Sequence, residues 1–212
     1  GNVIFTPDTG YTGPASFQYT LSDGFGGTAT GRVALDVAPN LPTISGTEGN
    51  DTLVGTGVAE IILGLGGDDA LTGGAGNDTL NGGSGIDVAA YDTASGGVSV
   101  NLESGAATDG TGSTDTLTGI ESATGSAYDD TIVGSSGPNA LSGNDGSDVI
   151  DGAAGNDTLA GGGGFDLLKG GAGDDSYVFN TNGGGYADIV RDVGGAETNG
   201  DILQFTNTRF GP

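Results

Sequence analysis

Two stretches of this chain repeat a nine-residue phrase with a carboxylate or amide at its sixth position. In the first stretch that residue is Asp51, Glu60, Asp69, Asp78 and Asp87. In the second it is Asp130, Asn139, Asp148, Asp157, Asp166 and Asp175. Side chains so regularly spaced could serve acid–base catalysis or hold a cation. Repetition favours the cation, because a catalytic pair is needed once and this group recurs eleven times. The chain has no His, which rules out a zinc-protease site and a Ser-His-Asp triad, so no enzymatic activity is expected of it.

The phrases begin at Gly46, Gly55, Gly64, Gly73 and Gly82, then at Gly125, Gly134, Gly143, Gly152, Gly161 and Gly170. Glycines recur at positions one, two and four, where they permit positive φ and close approach to a ligand. Position eight is apolar throughout: Leu53, Ile62, Leu71, Leu80 and Ala89, then Ile132, Leu141, Ile150, Leu159, Leu168 and Tyr177. A turn over positions one to six and a strand over seven to nine, with position eight pointing inward, predict a stacked solenoid. Two repeats close one coil, and each turn stacks on the turn two repeats later.

Stacked aspartates would lie about 4.8 Å apart and repel one another. A hard dication with six to eight oxygen ligands converts that repulsion into coordination, which points to several calcium ions. Magnesium prefers smaller octahedral sites, and zinc would want the His and Cys that the chain lacks. The acids at position five, Asp68, Asp129 and Asp174, are expected only to add negative potential.

Composition agrees. Gly makes up 47 of 212 residues without a collagen period, and aromatic residues are 6%, so burial must come from thin repeated layers. A formal charge of −24, from 28 acids against Arg32, Lys169, Arg191 and Arg209, repels nucleic acid and anionic membranes and attracts cations. No apolar run is long enough for a membrane span. The same composition would suit a disordered acidic linker if nothing neutralised it.

The pattern Gly-Gly-x-Gly-x-Asp-x-U-x, clearest at Gly73–Asn81 and Gly82–Ala90, resembles the RTX (haemolysin-type) calcium-binding β-roll. The resemblance implies which atoms hold the metal: the carbonyls of positions two and four and the aspartate of one turn, facing the carbonyls of positions one and three and the aspartate of the turn two repeats on. Leu65, Gly67 and Asp69 would pair with Gly82, Ser84 and Asp87, and Thr47, Gly49 and Asp51 with Gly64, Gly66 and Asp69. In the second stretch Ser126, Tyr128 and Asp130 would face Gly143, Asp145 and Asp148. Asn144, Gly146 and Asp148 would face Gly161, Gly163 and Asp166, and Ala153, Gly155 and Asp157 would face Gly170, Ala172 and Asp175. Two pairings depart from the pattern and are expected to be weak. In one, Glu60 pairs with Gly73, Ala75 and Asp78; in the other, Asn139 pairs with Gly152, Ala154 and Asp157.

The fold expected is all-β: a parallel β-roll in two blocks, with a short N-terminal β-sandwich fragment and a C-terminal β cap. Residues 1–38 read as strands from the alternation of Val3 and Phe5, of Phe17, Tyr19 and Leu21, and of Val33, Leu35 and Val37. The phrase Phe17–Gly24 followed by Gly26–Ala29 resembles the last strands of bacterial cadherin-like or Ig-like adhesin domains. Residues 39–45 read as a linker, 46–90 as block one, 91–124 as an irregular β-helical connector, 125–178 as block two and 179–212 as the cap. Asp87 and Asp130 are 43 residues apart, not a multiple of nine, so the blocks are expected to form two rolls out of phase, joined by irregular coils.

The RTX resemblance implies a chain that is unfolded without calcium, folds outside the cell after type I secretion, and is secreted or held at the cell surface. Gly1 is expected to lie inside a longer protein, with a secretion signal beyond Phe210-Gly211-Pro212. Three roles stay open: a structural or adhesive region of a large surface protein, a surface-layer or filament subunit, and the C-terminal module of an extracellular protease, lipase or epimerase. Surface or matrix components and neighbouring copies of the chain are the partners in view. Ice binding is less suited, because the position-seven residues form no matched ladder.

Overall fold

The computed structural model describes residues 4–8, 11–180, 188–191 and 201–206. Every regular element among them is a β-strand, and no helix is long and apolar enough to cross a membrane. The chain divides into two compact units, Gly1–Leu41 and Pro42–Pro212.

The first unit is an antiparallel hairpin of β1 (Gly13–Ser22) and β2 (Thr28–Val37), paired from Gly13↔Val37 to Ser22↔Thr28. Asp23 holds its loop by accepting the Phe25 and Gly27 amides at 2.8 and 2.9 Å. Phe17, Val33 and Leu35 share the half-buried face, as their alternation requires. Val3 lies outside the described residues.

The second unit is the roll. Thr43–Ser45, expected as linker, form β3, and block one supplies β4 (Thr52–Val54), β5 (Ile61–Gly66), β6 (Ala70–Thr72), β7 (Thr79–Ser84) and β8 (Val88–Ala90), with β3 paired to β5. The connector supplies β9 (Ser99–Asn101), β10 (Ala106–Thr108), β11 (Thr114–Thr118) and β12 (Ser122–Thr124). Block two supplies β13 (Thr131–Val133), β14 (Ala140–Asp145), β15 (Val149–Asp151), β16 (Thr158–Gly163), β17 (Leu167–Lys169) and β18 (Ser176–Asn180), followed by β19 (Ile189–Val190) and β20 (Ile202–Thr206). Two sheets form its walls. One runs β19-β17-β15-β13-β9-β10-β11-β7-β5-β3 and the other β20-β18-β16-β14-β12-β8-β6-β4. Within the blocks the pairing is parallel and joins residues two repeats apart, as in Ile62↔Leu80, Leu53↔Leu71 and Leu159↔Tyr177.

The connector does not separate the blocks. β12 pairs with β8 on one side and β14 on the other, and β11 pairs with β7, so both sheets run through it. Irregular coils between two rolls were expected; instead the phase slip is absorbed within one stack. β9 and β10 form an antiparallel excursion that adds two strands to one wall only. The turn from β11 to β12 is also cut short at Gly119–Glu121. Glu121 therefore occupies the sixth position 34 residues after Asp87 and nine before Asp130, and the period resumes.

Between the walls lies a single row of apolar side chains. Ile62, Leu71, Leu80, Ile132, Leu141, Ile150, Leu159, Leu168 and Tyr177 are buried, and Leu53 is partly so. Val98, Val100, Ala107, Leu117, Ile120 and Ala123 continue the row through the connector. Each large side chain contributes roughly 1.5–3 kcal/mol by leaving water. The row is one residue thick, so it leaves the rims of the roll to be held by something else.

Candidate metal centre

The rims are the glycine-rich turns, and their backbones fall into two classes. In seven turns both position two and position four have positive φ. Position two in these is Leu65 (80°), Gly74, Gly83, Asn144 (77°), Ala153 (74°), Gly162 and Gly171. Leu, Asn and Ala hold this conformation at a cost of roughly 1–2 kcal/mol each, so the rest of the turn must compel it. In the other four turns position two is Thr47, Thr56, Ser126 or Ser135, and neither it nor position four has positive φ. Position one does not have positive φ in any turn, contrary to expectation; there glycine is required by space. A β-carbon on Gly64 would run into both the Asp69 Oδ2 and the Gly82 carbonyl oxygen, and one on Gly143 into Asp148 Oδ2 and the Gly161 carbonyl.

The sixth-position side chains form a ladder along each rim. In seven of them Oδ1 accepts the backbone N–H of the sixth-position residue one coil earlier. Asp51 donates to Asp69, Asp69 to Asp87, Asp130 to Asp148 and Asn139 to Asp157, all at 2.8 Å. Asp148 donates to Asp166 at 3.0 Å, Asp157 to Asp175 at 2.9 Å and Glu60 to Asp78 at 2.8 Å. Position five builds a second, outer ladder. The Asp68 amide donates to Asn50, Ile86 to Asp68 and Ser147 to Asp129. Asp68 and Asp129 thus do more than add potential: they tie adjacent coils together.

The second oxygen of the sixth-position residue separates the two classes. Asp69, Asp78, Asp87, Asp148, Asp157 and Asp166 are buried, and the Oδ2 of each has no hydrogen-bond donor. An ionised oxygen placed this way is costly unless a cation faces it. Burial pushes the Asp148 carboxyl up to about 7, with the Asp130 and Asp166 charges adding to the rise. Burial likewise raises Asp78 and Asp157 to about 6, and raises Asp87 and Asp166.

These turns fit a hard cation. Beside the orphaned Oδ2 of Asp69 and Asp148 stand the Gly82 and Gly161 carbonyls, and carbonyl oxygens are the donors such a cation selects. The Leu65 and Gly67 carbonyls abut Gly83 and Gly85 of the next coil; those of Asn144 and Gly146 abut Gly162 and Gly164; those of Ala153 and Gly155 abut Gly171 and Gly173. The position-four amides of Gly67, Gly146 and Gly155 donate to the Ser84, Gly163 and Ala172 carbonyls, fixing one turn upon the next. The structure therefore brings Leu65, Gly67 and Asp69 to Gly82, Ser84 and Asp87. It brings Asn144, Gly146 and Asp148 to Gly161, Gly163 and Asp166, and Ala153, Gly155 and Asp157 to Gly170, Ala172 and Asp175.

The remaining pairs stack in the anticipated register but with a different interior. Thr47, Gly49 and Asp51 lie under Gly64, Gly66 and Asp69, with the Gly66 amide on the Thr47 carbonyl at 3.2 Å. Glu60 lies under Gly73, Ala75 and Asp78; Ser126, Tyr128 and Asp130 under Gly143, Asp145 and Asp148; Asn139 under Gly152, Ala154 and Asp157. Here the sixth-position oxygens already have donors. Asp51 Oδ2 accepts the Thr47 amide at 2.6 Å and its hydroxyl at 2.9 Å, and Asp130 accepts the Ser126 amide at 2.6 Å and its hydroxyl at 2.8 Å.

Four further rungs lie outside the two blocks. Asp115 Oδ1 accepts the Asp78 amide at 2.9 Å, and Glu121 the Asp87 amide at 3.0 Å. Asp188 accepts the Asp166 amide at 3.3 Å and Asp201 the Asp175 amide at 2.8 Å. A signal for the first is present: Gly110–Thr118 has glycine at position one, aspartate at six and leucine at eight, in a frame of its own.

Residues 43–57, 54–89, 124–159 and 154–180 match the RTX calcium-binding nonapeptide repeat, in four copies, and residues 1–36 match the bacterial Ig domain. No curated protein matches the chain. The repeat matches coincide with the two blocks of the roll and stop at the connector. The chain thus carries RTX calcium-binding nonapeptide repeats folded as a parallel β-roll, preceded by bacterial Ig-domain sequence.

Proposed function

We propose that the roll is a calcium-dependent structural region of a large secreted or cell-surface protein, with its ions held between turns two repeats apart. The orphaned Oδ2 atoms of Asp69, Asp78, Asp87, Asp148, Asp157 and Asp166 carry this reading. A bound dication supplies charge neutralisation at the rims. The chain's own residues supply the oxygen cage: Leu65, Gly67 and Asp69 with Gly82, Ser84 and Asp87, and the two corresponding sets in block two. Without the ion these carboxylates oppose stacking, so binding energy becomes folding energy. Extracellular calcium modules work at roughly 10⁻⁴ to 10⁻³ M, which suits a chain that stays loose in a calcium-poor cytosol and folds after type I secretion.

Bacterial Ig-domain sequence at residues 1–36 supports the adhesive or surface reading over that of an enzyme's secretion module. Calorimetric titration of the chelated chain tests the calcium assignment. Saturable heat with calcium, and little with magnesium at the same concentration, is expected; equal responses to both ions, or to neither, would contradict it.

A further inference from the structure

The turns whose sixth-position oxygens already have donors are the first two of each block. We infer that Thr47, Thr56, Ser126 and Ser135 close these turns, so that they fold without metal and leave the pairs above them empty. This deepens the calcium reading and rests on it.

Three observations separate these turns from the open ones. First, the hydroxyl residue takes the place of a cation. The Thr56 amide and hydroxyl donate to Glu60 at 2.7 and 2.5 Å, and the Ser135 amide and hydroxyl to Asn139 at 2.7 and 3.3 Å, as Thr47 and Ser126 do to Asp51 and Asp130. Second, the position-four amide folds back inside its own turn. Gly49, Tyr128 and Gly137 donate to the hydroxyls of Thr47, Ser126 and Ser135 at 3.2, 3.1 and 3.3 Å. In the open turns at Gly67, Gly146 and Gly155 the same amide reaches the next coil. Third, the position-four carbonyl turns away from the site. A β-carbon on Gly146 would meet the Tyr128 carbonyl carbon and oxygen equally, at 2.5 Å, and one on Gly76 would meet the Val58 carbon at 2.7 Å before its oxygen at 2.9 Å. Over the open turns at Gly67, Gly146 and Gly155 the oxygen is met first.

Asp51 and Asp130 are the informative cases. Both carry the aspartate of the motif, yet their oxygens are already bonded. Glu60 and Asn139 depart from the motif at position six itself, but the same hydroxyl closure accounts for them. Closure falls where the coil beneath offers no matching aspartate. The Val98 amide lies under Asp130, and the Glu121 carbonyl accepts the Asn139 side-chain amide. Position two thus decides which turns take calcium, and each block begins on a coil that needs none.

The test is calcium stoichiometry of the full chain by native mass spectrometry. Asp51→Asn and Asp130→Asn should keep the wild-type number of ions, whereas Asp69→Asn and Asp148→Asn should each lose at least one. Loss of an ion in Asp51→Asn or Asp130→Asn would overturn the inference. Ser126→Gly combined with Tyr128→Gly, which removes the hydroxyl from Asp130 and lets positions two and four take positive φ, should gain one ion; an unchanged count would overturn position two as the determinant. A wild-type chain that takes up no calcium would instead overturn the calcium reading itself.

Discussion

The repeat blocks and the connector bury carboxylates in the same stack by different means. In the blocks, six aspartates keep one buried oxygen without a donor. In the connector, Asp115 spends one oxygen on the Asp78 amide and the other on the Tyr91 hydroxyl, both at 2.9 Å. Asp109 accepts the Thr111 and Ser113 amides and the Thr111 hydroxyl; burial would raise its carboxyl, but these bonds outweigh it and hold it below the usual range. The comparison shows what periodicity is for. A block turn without a hydroxyl at position two has no side-chain donor to offer its aspartate, so a cation is what its buried oxygen calls for. An aperiodic segment can supply a tyrosine or threonine and do without one.

That difference can be broken most broadly with protons. Asp78, Asp148 and Asp157 have folded carboxyls raised to about 6, 7 and 6 by burial, against about 4 when unfolded. The protonated acids favour the metal-free roll, so that contribution is fully present below pH about 4 and is lost as pH rises toward 7. Chelated protein should therefore gain β-structure on acidification. Calcium affinity should fall over the same interval, because protons and the ion compete for the same oxygens. Titration from pH 7 to 4 with and without calcium reads both trends.

A single block carboxylate comes next. Asp148→Asn removes the charge of one open turn, and a lost charge-assisted interaction of roughly 1.5–3 kcal/mol predicts weakening of that site by about ten- to a hundredfold. The connector should respond the other way round. Tyr91→Phe leaves a buried Asp115 oxygen unpartnered and should cost about 1–3 kcal/mol of stability, with calcium stoichiometry unchanged. Loss of an ion in that variant would show that the connector too relies on metal. The smallest effect tests backbone strain. Ala153→Gly relieves a positive φ of 74° and should stabilise the calcium-bound roll by about 1 kcal/mol in thermal melts.

Much of this was legible in the sequence. The apolar eighth position located the buried row from Leu53 to Tyr177, and the aspartates recurring every second repeat identified the rungs that stack. Three features were not. The offset between Asp87 and Asp130 looked like a break, because a fixed period hides both a shortened turn at Gly119–Glu121 and the self-framed repeat at Gly110–Thr118. The strands at Ile189 and Ile202 read as a cap, yet Asp188 and Asp201 also extend the ladder, since the residue before a rung strand accepts the same amide whatever the spacing. The bonds from Thr47, Thr56, Ser126 and Ser135 to the sixth-position side chain are the third. Their effect depends on backbone φ, which composition does not reveal.

The most direct test of calcium-dependent folding is far-ultraviolet circular dichroism of the chain at pH 7 in excess chelator, followed by addition of calcium. A coil spectrum converting to β-structure with calcium, and reverting on chelation, is the predicted result. Undiminished β-structure in excess chelator would contradict the claim that the orphaned rim carboxylates need a cation to stack.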